Sequence, residues 1–422
     1  MRSSLCVAVL GTCDTKLEEL LFLREQIKRY DVNVKLIDVG RSNTDDMNID
    51  VSQRELLEKY SDGKAIDKLP RGDVIKTMAD CATRAVEKLF KDGSIHAIIN
   101  AGGSGGTSLV AQVMRTALPI GFPKMIVSTV ASGDTGPIVG ETDITMMYSV
   151  VDIAGLNQVL RNVLSNAGAA IAGMSQAFAS RLQDAAVPKK KRVGITMFGV
   201  TTPGVDCIRK YLESNYDIET YVFHATGHGG KAMERLVREG GLDAVLDLTT
   251  TEICDHITGG VMSAGERRLE AAAKAGLPNI VSVGATDMTN FGPIDTVPEK
   301  YKDRKLYEHN PVVTLMRTST EEAAQVGGFI AGKLKSHAKD PNKIQVFLPK
   351  GGISMIATPG GPFEDAEADA AIFSAIREEL GDSSIEVVEK EDAINNETFA
   401  HSIADALVAK MGLGRKSLNA VP

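Results

Sequence analysis

A run of glycine and serine follows a short apolar segment near residue 100. Residues 97–108 read AIINAGGSGGTS, in which an apolar strand pattern gives way to a helical pattern from about Thr107. The first N–H groups of a helix have no intrahelical acceptor and lie at the positive end of its dipole, so this turn suits an oxyanion. Glycine helps because a Cβ would hold the anion away from the backbone and would oppose a positive φ. The pattern predicts phosphate binding, although a flexible packing turn needs the same small residues and neither standard phosphate-binding motif is present. The predicted binding residues of this turn are Gly102, Gly103, Ser104, Gly105, Gly106 and Thr107.

Two further polar loops, GTCDTK (11–16) and TVASGDTG (129–136), also follow apolar segments. The carboxyl ends of parallel strands meet at one edge of a sheet, so we expect these loops to join the glycine turn in one pocket. If the ligand is a nucleotide, one of Asp14, Asp134 and Asp143 can orient Mg²⁺; otherwise these aspartates serve as helix caps and turn residues. The residues that these loops add to the predicted pocket are Gly11, Thr12, Asp14, Thr15, Lys16, Ser132, Gly133 and Asp134.

Histidine and carboxylate residues cluster in two loops of the second half of the chain. His224 and His228 lie four apart around a glycine-rich turn, and Glu252 follows the apolar segment that ends in DLTTT. These groups can act as acid and base or bind a polar ligand through hydrogen bonds. We predict His224, His228 and Glu252 as catalytic, without a bound metal. A metal-dependent hydrolase at the two histidines is an alternative, but the spacing supplies no third ligand.

Alternating strand and helix patterns must position these loops. Apolar strand patterns at residues 5–10, 34–39, 95–100 and 124–130 are separated by helical patterns, and a second such series begins near residue 193. This order predicts parallel sheets with helical crossovers. The expected fold is therefore α/β: two Rossmann-like parallel-sheet domains, 1–186 and 192–422, with ligand loops at the carboxyl ends of the strands.

The two halves also resemble each other. Residues 85–101 align without gaps on residues 232–248, and residues 126–134 align on residues 280–287 with one deletion. Any helix–turn–strand segment gives some such similarity, but two matches in the same order favour related architectures and a duplication.

The composition excludes several classes of protein. The chain has 422 residues, a net charge of −8 and 5% aromatic residues, which argues against nucleic-acid or anionic-membrane binding. Five scattered cysteines without a C-x-x-C pair favour reduced thiols. No apolar run is long enough to span a membrane, and the first residues lead directly into a strand, so we expect a cytoplasmic protein.

With these motifs in view, the chain resembles the ATP-binding domain family typified by the tomato mosaic virus resistance protein. The resemblance implies a two-domain α/β protein that binds ATP at residues 102–108 and their companion loops and forms a homodimer. Plant members of that family continue into a barrel domain that this sequence does not contain. The motifs that carry the resemblance are GTCDTKLEEL, AGGSGGTSL, STVASGDTG, TDITMMYSVVDIAGLN, TMFGVTTPG, HATGHGGKAME, LDLTTTEICD and HNPVVTLMRTSTEE.

Two functions remain beside the hydrolase. The first is an ATP-binding enzyme that acts on a small molecule in the cleft between the two domains, with His224, His228 and Glu252 opposite the phosphates. The second is a non-catalytic module in which ATP controls the binding of a protein partner.

Overall fold

A computed structural model describes residues 5–64, 66, 69–183 and 190–416. The chain forms two compact units, Met1–Val187 and Pro188–Pro422. Within the described ranges, no helix is both long and apolar enough to cross a membrane.

The first unit is a five-stranded parallel sheet flanked by helices. The order of the strands across the sheet is β2-β1-β3-β4-β5. The strands are β1 (Cys6–Gly11), β2 (Asn33–Asp38), β3 (Ala97–Gly102), β4 (Lys124–Ser128) and β5 (Thr145–Tyr148). The helices are α1 (Cys13–Lys28), α2 (Gln53–Tyr60), α3 (Arg71–Lys91), α4 (Ser104–Ala117), α5 (Gly136–Val139) and α6 (Gln158–Gln183).

Helices cover both faces of this sheet because its central strands are apolar on both faces. Alternate residues of a strand point to opposite sides. In β1, Ala8 and Leu10 belong to a core shared with α3 and α4, whereas Val7 and Val9 belong to a core shared with α1 and α6. Parallel strands buried on both faces read as continuous apolar runs, which is how β1 and β3 appear in the sequence.

The second unit holds a six-stranded parallel sheet and a separate antiparallel sheet of three strands. The parallel order is β14-β13-β9-β8-β6-β7 and the antiparallel order is β10-β12-β11. The strands are β6 (Lys191–Met197), β7 (Ile218–His224), β8 (Ala244–Thr249), β9 (Asn279–Gly284), β10 (Met288–Phe291), β11 (Leu306–Asn310), β12 (Val313–Arg317), β13 (Ile344–Pro349) and β14 (Glu386–Lys390). The helices are α7 (Thr202–Asn215), α8 (His228–Arg238), α9 (Glu252–Thr258), α10 (Glu270–Ala275), α11 (Thr320–His337), α12 (Ala366–Leu380) and α13 (Glu397–Met411).

The structure confirms the predicted fold class of two Rossmann-like parallel-sheet units with related architecture. The aligned segments 85–101 and 232–248 both end in the third strand of their unit, β3 and β8. The second pair of segments begins in β4 and β9, the fourth strands. The antiparallel sheet was not predicted, because its short strands lie among polar and charged residues that lack a clear period of two.

Candidate functional site

The order of strands in the first unit fixes where a ligand pocket can form. The chain passes from β1 to β2 on one side and reaches β3 on the other, so the sheet changes direction between β1 and β3. In open α/β sheets, this switch point leaves a crevice outside the carboxyl ends of the strands.

A cavity of about 310 Å³ lies at this position, near the lower limit of common ligand pockets. One part of its wall is polar and comes from the loops after β1, β2 and β3. The other part is aliphatic. The lining residues are Thr12, Asp14, Thr15, Lys16, Val39, Arg41, Ile75, Met78, Gly103, Ser104, Gly105, Gly106, Leu109 and Asp152.

The glycine turn contributes the first turn of α4 to this cavity. Gly103 is the N-cap residue of α4 and has no side chain that can accept a hydrogen bond from the helix. The first intrahelical bond runs from Thr107 N to Gly103 O, at 2.9 Å. The N–H groups of the three lining residues 104–106 therefore precede the helical ladder and lie at its positive end.

The glycines of this turn do not adopt the positive φ that we expected. Gly103 has a φ of −76°, and none of Gly102, Gly103, Gly105 and Gly106 has a positive φ, so that expectation is wrong. A Cβ built on Gly105 or Gly106 would meet no atom within 4 Å. Glycine therefore keeps the cavity side of the helix open rather than permitting a tight turn.

The loop after β1 brings opposite charges to the cavity. Helix α1 begins at Cys13 and departs from helical geometry at Lys16, where φ is −139°. The ammonium of Lys16 donates a hydrogen bond to the carbonyl of Ile153. The carboxylate of Asp14 accepts hydrogen bonds from the N–H groups of Arg41 (3.0 Å) and Ser42 (3.3 Å), so it fixes the loop after β2 against α1.

Two buried side chains support the end of the sheet below this cavity. Asp38 Oδ1 accepts hydrogen bonds from Cys13 N (3.0 Å) and Gly40 N (2.8 Å), and burial raises the pKa of the Asp38 carboxyl. Asn100 Nδ2 donates to Leu10 O at 2.8 Å. Among the described residues, Asp38 Oδ2 and Asn100 Oδ1 are buried without a hydrogen-bond partner. These contacts join the ends of β1, β2 and β3, from which the binding loops emerge.

The structure separates the remaining predicted pocket residues from the cavity lining. Gly11, Gly102 and Thr107 are buried, and the Thr107 hydroxyl contacts Ser128 Oγ at 2.7 Å. Ser132, Gly133 and Asp134 lie on an exposed loop that does not line the cavity.

The two other aspartates have local roles instead of lining the cavity. Asp134 Oδ1 accepts a hydrogen bond from Gly136 N at 3.0 Å, at the start of α5. Asp143 forms an ion pair with the buried Lys124 at 2.7 Å. Neither aspartate lines the cavity, so the proposed ligand position lies beside Asp14 and not beside these two residues.

The predicted catalytic set of the second unit divides into exposed and buried members. His224 and His228 are exposed, and the His224 ring stacks on Phe198 at 5.5 Å between ring centroids. Glu252 has no exposed surface and accepts hydrogen bonds from Gly227 N (2.7 Å) and Gly230 N (3.0 Å).

The buried side of Glu252 faces an arginine. Arg268 Nε donates to Glu252 Oε2 at 2.8 Å, and both guanidinium Nη atoms bind Asp247. Glu234 lies 3.6 Å from the same guanidinium. These contacts bury the Glu252 carboxylate and hold the glycine-rich turn in place, and a catalytic role for Glu252 stays a prediction.

The hydrolase alternative requires a metal ion bound by His224 and His228 together with further ligands. In the part of the chain that is described, one group of at least three His, Cys, Asp or Glu side chains has donor atoms close enough for a shared ion, and it does not include His224 or His228. Among the described His, Cys, Asp and Glu side chains, none completes a three-ligand group with His224 and His228 for the hydrolase alternative.

Sequence reasoning missed the cavity residues that lie between the recognised motifs. Arg41 follows β2, Asp152 follows β5, and Ile75, Met78 and Leu109 lie on α3 and α4. Arg41 was open to prediction because the loop after β2 reaches the same edge of the sheet. The aliphatic residues were not, because core residues of a helix have the same pattern.

The protein is therefore of the α/β class, with two parallel-sheet units and a ligand-sized cavity at the switch point of the first. The chain belongs to the uncharacterised protein family UPF0261: the N-terminal domain of that family matches residues 5–180 and its C-terminal domain matches residues 190–411.

Relatives of this family occur in bacteria and plants. A UPF0261 protein of Clostridium tetani is 45% identical over 96% of this chain and 98% of its own length. The ToMV susceptible protein tm-1(GCR26) of Solanum lycopersicum is 38% identical over 95% of this chain, which spans 55% of the tomato protein. A solved UDP-N-acetylglucosamine 2-epimerase aligns with 66% of this chain and 79% of its own, at 12% identity and a TM-score of 0.20.

Proposed function

We propose that the first unit binds ATP in the cavity at the carboxyl ends of β1 and β3. The observation that carries this proposal is the two-sided wall of the cavity. Open N–H groups and cationic side chains occupy one part of the wall and aliphatic side chains occupy the other. A nucleotide has the matching asymmetry, with an anionic end and a flat base of low polarity.

The polar wall has the donors that a phosphate needs. Residues 104–106 offer backbone N–H groups, and Lys16 and Arg41 supply positive charge. Hydrogen bonds to a charged group contribute about 1.5–3 kcal/mol each. Two or three of them together contribute about 3–9 kcal/mol, and the upper end of this range corresponds to micromolar affinity. Asp14 and Asp152 line the same cavity and are the residues that would orient Mg²⁺ alongside the phosphates.

The aliphatic wall distinguishes a nucleotide from free phosphate. Ile75, Met78 and Leu109 present apolar surface to the cavity. Covering this surface with a base removes apolar area from water, which favours binding by about 25 cal/mol per Å². Inorganic phosphate gains nothing from that wall.

Calorimetric titration with ATP, adenosine and pyrophosphate tests the proposal. We expect ATP to bind more tightly than either fragment, because each fragment uses one part of the wall. Arg41→Ser, at an exposed arginine of the lining, should weaken ATP binding about tenfold and leave the affinity for adenosine unchanged. Arg54→Ser, at an exposed arginine of α2 outside the lining, should change neither affinity. Equal affinities of the wild type for ATP and adenosine would contradict the proposal.

The resemblance extends the proposal to a cytoplasmic homodimer that uses ATP on a small molecule, or to a module whose partner binding depends on ATP. All five cysteines are free thiols, which suits a reducing compartment. Sedimentation with and without ATP tests the dimer. A screen for metabolites consumed with Mg²⁺-ATP separates the enzyme from the binding module, because only the enzyme produces turnover.

A further inference from the structure

A cysteine, a glutamate and a histidine meet on the surface of the second unit, on two helices that pack together. Cys207 lies on α7, and Glu397 and His401 lie on α13. Their sulfur, oxygen and nitrogen donor atoms all lie within 4.8 Å of one another. None of the three lines the cavity of the first unit. None belongs to the Arg268 network, the buried cluster of Arg268 with Asp247, Glu252 and Glu234.

We propose that Cys207, Glu397 and His401 bind one Zn²⁺ ion that joins the start of α13 to α7. Thiolate, imidazole and carboxylate are the three kinds of side chain that bind zinc in proteins. A soft sulfur ligand disfavours Mg²⁺ and Ca²⁺, which take oxygen ligands. Three protein donors leave the fourth tetrahedral position to water or to a ligand.

The spacing of the donors is close to that of a zinc site. Zinc binds nitrogen and oxygen at about 2.0–2.2 Å, so tetrahedral donor atoms lie about 3.3–3.6 Å apart. His401 Nε2 and Glu397 Oε1 are 3.9 Å apart. The Glu397 side chain is 79% exposed and is free to rotate by the small amount that closes this difference. Glu397 and His401 are also four residues apart, so they share one face of α13.

The backbone around the three residues is held in place independently of a metal. Asn395 Oδ1 accepts a hydrogen bond from Gly204 N at 3.0 Å, and Asn395 Nδ2 donates to Val200 O at 2.9 Å. A Cβ on Gly204 would lie 2.7 Å from Ile394 O, so glycine permits this close approach of α7 to the segment before α13. The ligands therefore start from a preorganised position, which lowers the cost of ordering them.

An aromatic contact orients the imidazole. The ring of Tyr211, one turn after Cys207 on α7, lies 4.4 Å from the His401 ring, measured between centroids. Tyr211 is fixed in turn, because its hydroxyl donates to Asp405 Oδ1 at 2.7 Å and accepts from Arg415 at 2.7 Å. Groups that hold a ligating histidine in this way commonly affect metal affinity.

The charges near the thiol are mixed. Burial and Glu397 raise the pKa of Cys207, whereas Lys210 lowers it. A bound zinc ion displaces the thiol proton and neutralises the repulsion between thiolate and carboxylate, so binding releases a proton. The alternative role of Glu397 is that of an acidic residue in the first turn of α13, which is favourable without a metal.

Metal titration of the full chain tests the proposal. After treatment with a chelator, we expect the protein to bind one Zn²⁺ per chain, and Co²⁺ in its place to show a thiolate-to-metal charge-transfer band. Cys207→Ser should abolish that band. Cys207→Ser and His401→Gln should each weaken Zn²⁺ binding at least 100-fold, since loss of a direct ligand exceeds the 10–100-fold effect of an outer group.

Matched variants keep this test specific. Cys6→Ser replaces another half-buried cysteine, and His309→Gln replaces an exposed histidine. Both should retain binding and the Co²⁺ band. Circular dichroism of the metal-free variants establishes that they are folded. The proposal is overturned if Zn²⁺ binds the folded Cys207→Ser and His401→Gln variants as it binds the wild type, if His224→Gln abolishes binding instead, or if the wild type binds no stoichiometric metal.

Discussion

At the scale of residues, Gly105 and Gly106 near the start of α4 leave the cavity wall open. Gly105 faces open space, so a substituted side chain enters the cavity and not the protein core. Glycine in a helix is less stable than alanine by about 1 kcal/mol. The glycines at positions 105 and 106 therefore lower helix stability while leaving the N–H groups uncovered, which suits a binding site better than a packing site.

Gly105→Asp tests this use of glycine. A carboxylate beside the phosphates costs several kcal/mol, so we expect ATP to bind at least about 100-fold more weakly, with little change in the melting temperature. Gly173→Asp, at an exposed glycine of α6 with equal free space, should leave ATP affinity unchanged. Calorimetry and thermal denaturation measure the two effects. Retained ATP affinity in Gly105→Asp would exclude the turn from the site.

The Arg268 network is the second residue-scale feature with a large expected effect. Arg268 is 1% exposed and faces Glu252, Asp247 and Glu234. Removing one partner of a buried ion pair typically costs 3–5 kcal/mol because the other charges stay buried without compensation.

We therefore expect Arg268→Met to destabilise the second unit by about 3–5 kcal/mol in urea denaturation. Arg267→Met changes the exposed neighbouring arginine and should have an effect below about 0.5 kcal/mol. If Arg268→Met unfolds at the same urea concentration as the wild type, Glu252 has no bracing role and remains open to catalysis.

At this scale, the sequence identified the residue types but not their surroundings. The polar pattern DLTTTE predicted a ligand loop, yet Glu252 is turned inward by an arginine 16 residues further along the chain. Likewise, Cys207 and His401 are distant in sequence and meet only because α7 packs on α13. Such pairs depend on tertiary packing, which the spacing of residues in a single sequence does not reveal.

At the scale of elements, the two units share one strand order around their switch points. The sheet of the second unit also changes direction, between β6 and β8. There, Thr196 Oγ1 donates to Asp247 Oδ1 at 2.7 Å, and the hydroxyls of Thr201 and Thr249 lie 2.8 Å apart. All four side chains are buried, so hydrogen-bonded side chains join the strand ends at this switch point.

The corner between β9 and β10 carries a buried carboxyl that makes stability depend on pH. Asp287 Oδ2 accepts a hydrogen bond from Ser354 Oγ at 2.8 Å, and burial raises the pKa of Asp287 to about 7. Burial also raises the pKa of Asp255 to about 7 and that of Asp369 to about 6. Because the folded state holds these protons more tightly than the unfolded state, stability falls as pH rises from about 4 to about 7.

We expect the urea midpoint of the second unit to decrease between pH 5 and pH 8, and Asp287→Asn to reduce that decrease. The neutral amide removes the cost of burying a charge above pH 7. Asp295→Asn, at an exposed aspartate nearby, should keep the wild-type dependence. An unchanged slope in Asp287→Asn would show that this carboxyl does not titrate in the window. Glu270 acts in the opposite sense only at lower pH, since Lys274 and Lys333 hold its pKa at about 2.

The elements themselves were largely predictable. The predicted strands 5–10 and 95–100 lie within two residues of β1 and β3, because long apolar runs bounded by turn residues leave few alternatives. The start of α1 was harder to place. Thr15 and Glu18 have the sequence pattern of a capping box, which would start the helix near Thr15. The helix instead begins at Cys13, whose N–H donates to the side chain of Asp38 at the end of β2.

At the scale of the whole molecule, each unit has its own hydrophobic cores and its own proposed ligand. The repeated segments made this arrangement predictable, since each unit repeats the strand order from the first strand to the fourth. The antiparallel sheet of β10, β11 and β12 distinguishes the second unit from the first. It lies outside the repeated segments, so the repeat did not predict it.

Separate cores and sites predict separate responses to ligands. A ligand that binds only the folded state stabilises the unit that holds it. In hydrogen exchange of the full chain, ATP should slow exchange in the first unit, and Zn²⁺ should slow it at the start of α13. Cys207→Ser should remove the effect of Zn²⁺ and keep that of ATP. Protection of the second unit alone by ATP would contradict this assignment.

The most direct test of the central claim is a crystal structure of the protein with a non-hydrolysable ATP analogue. We predict a phosphate oxygen within hydrogen-bond distance of at least one N–H group of Ser104, Gly105 and Gly106, and the base against Ile75, Met78 or Leu109. An analogue bound at any other place, or a cavity that stays free of nucleotide at saturating concentration, would contradict it.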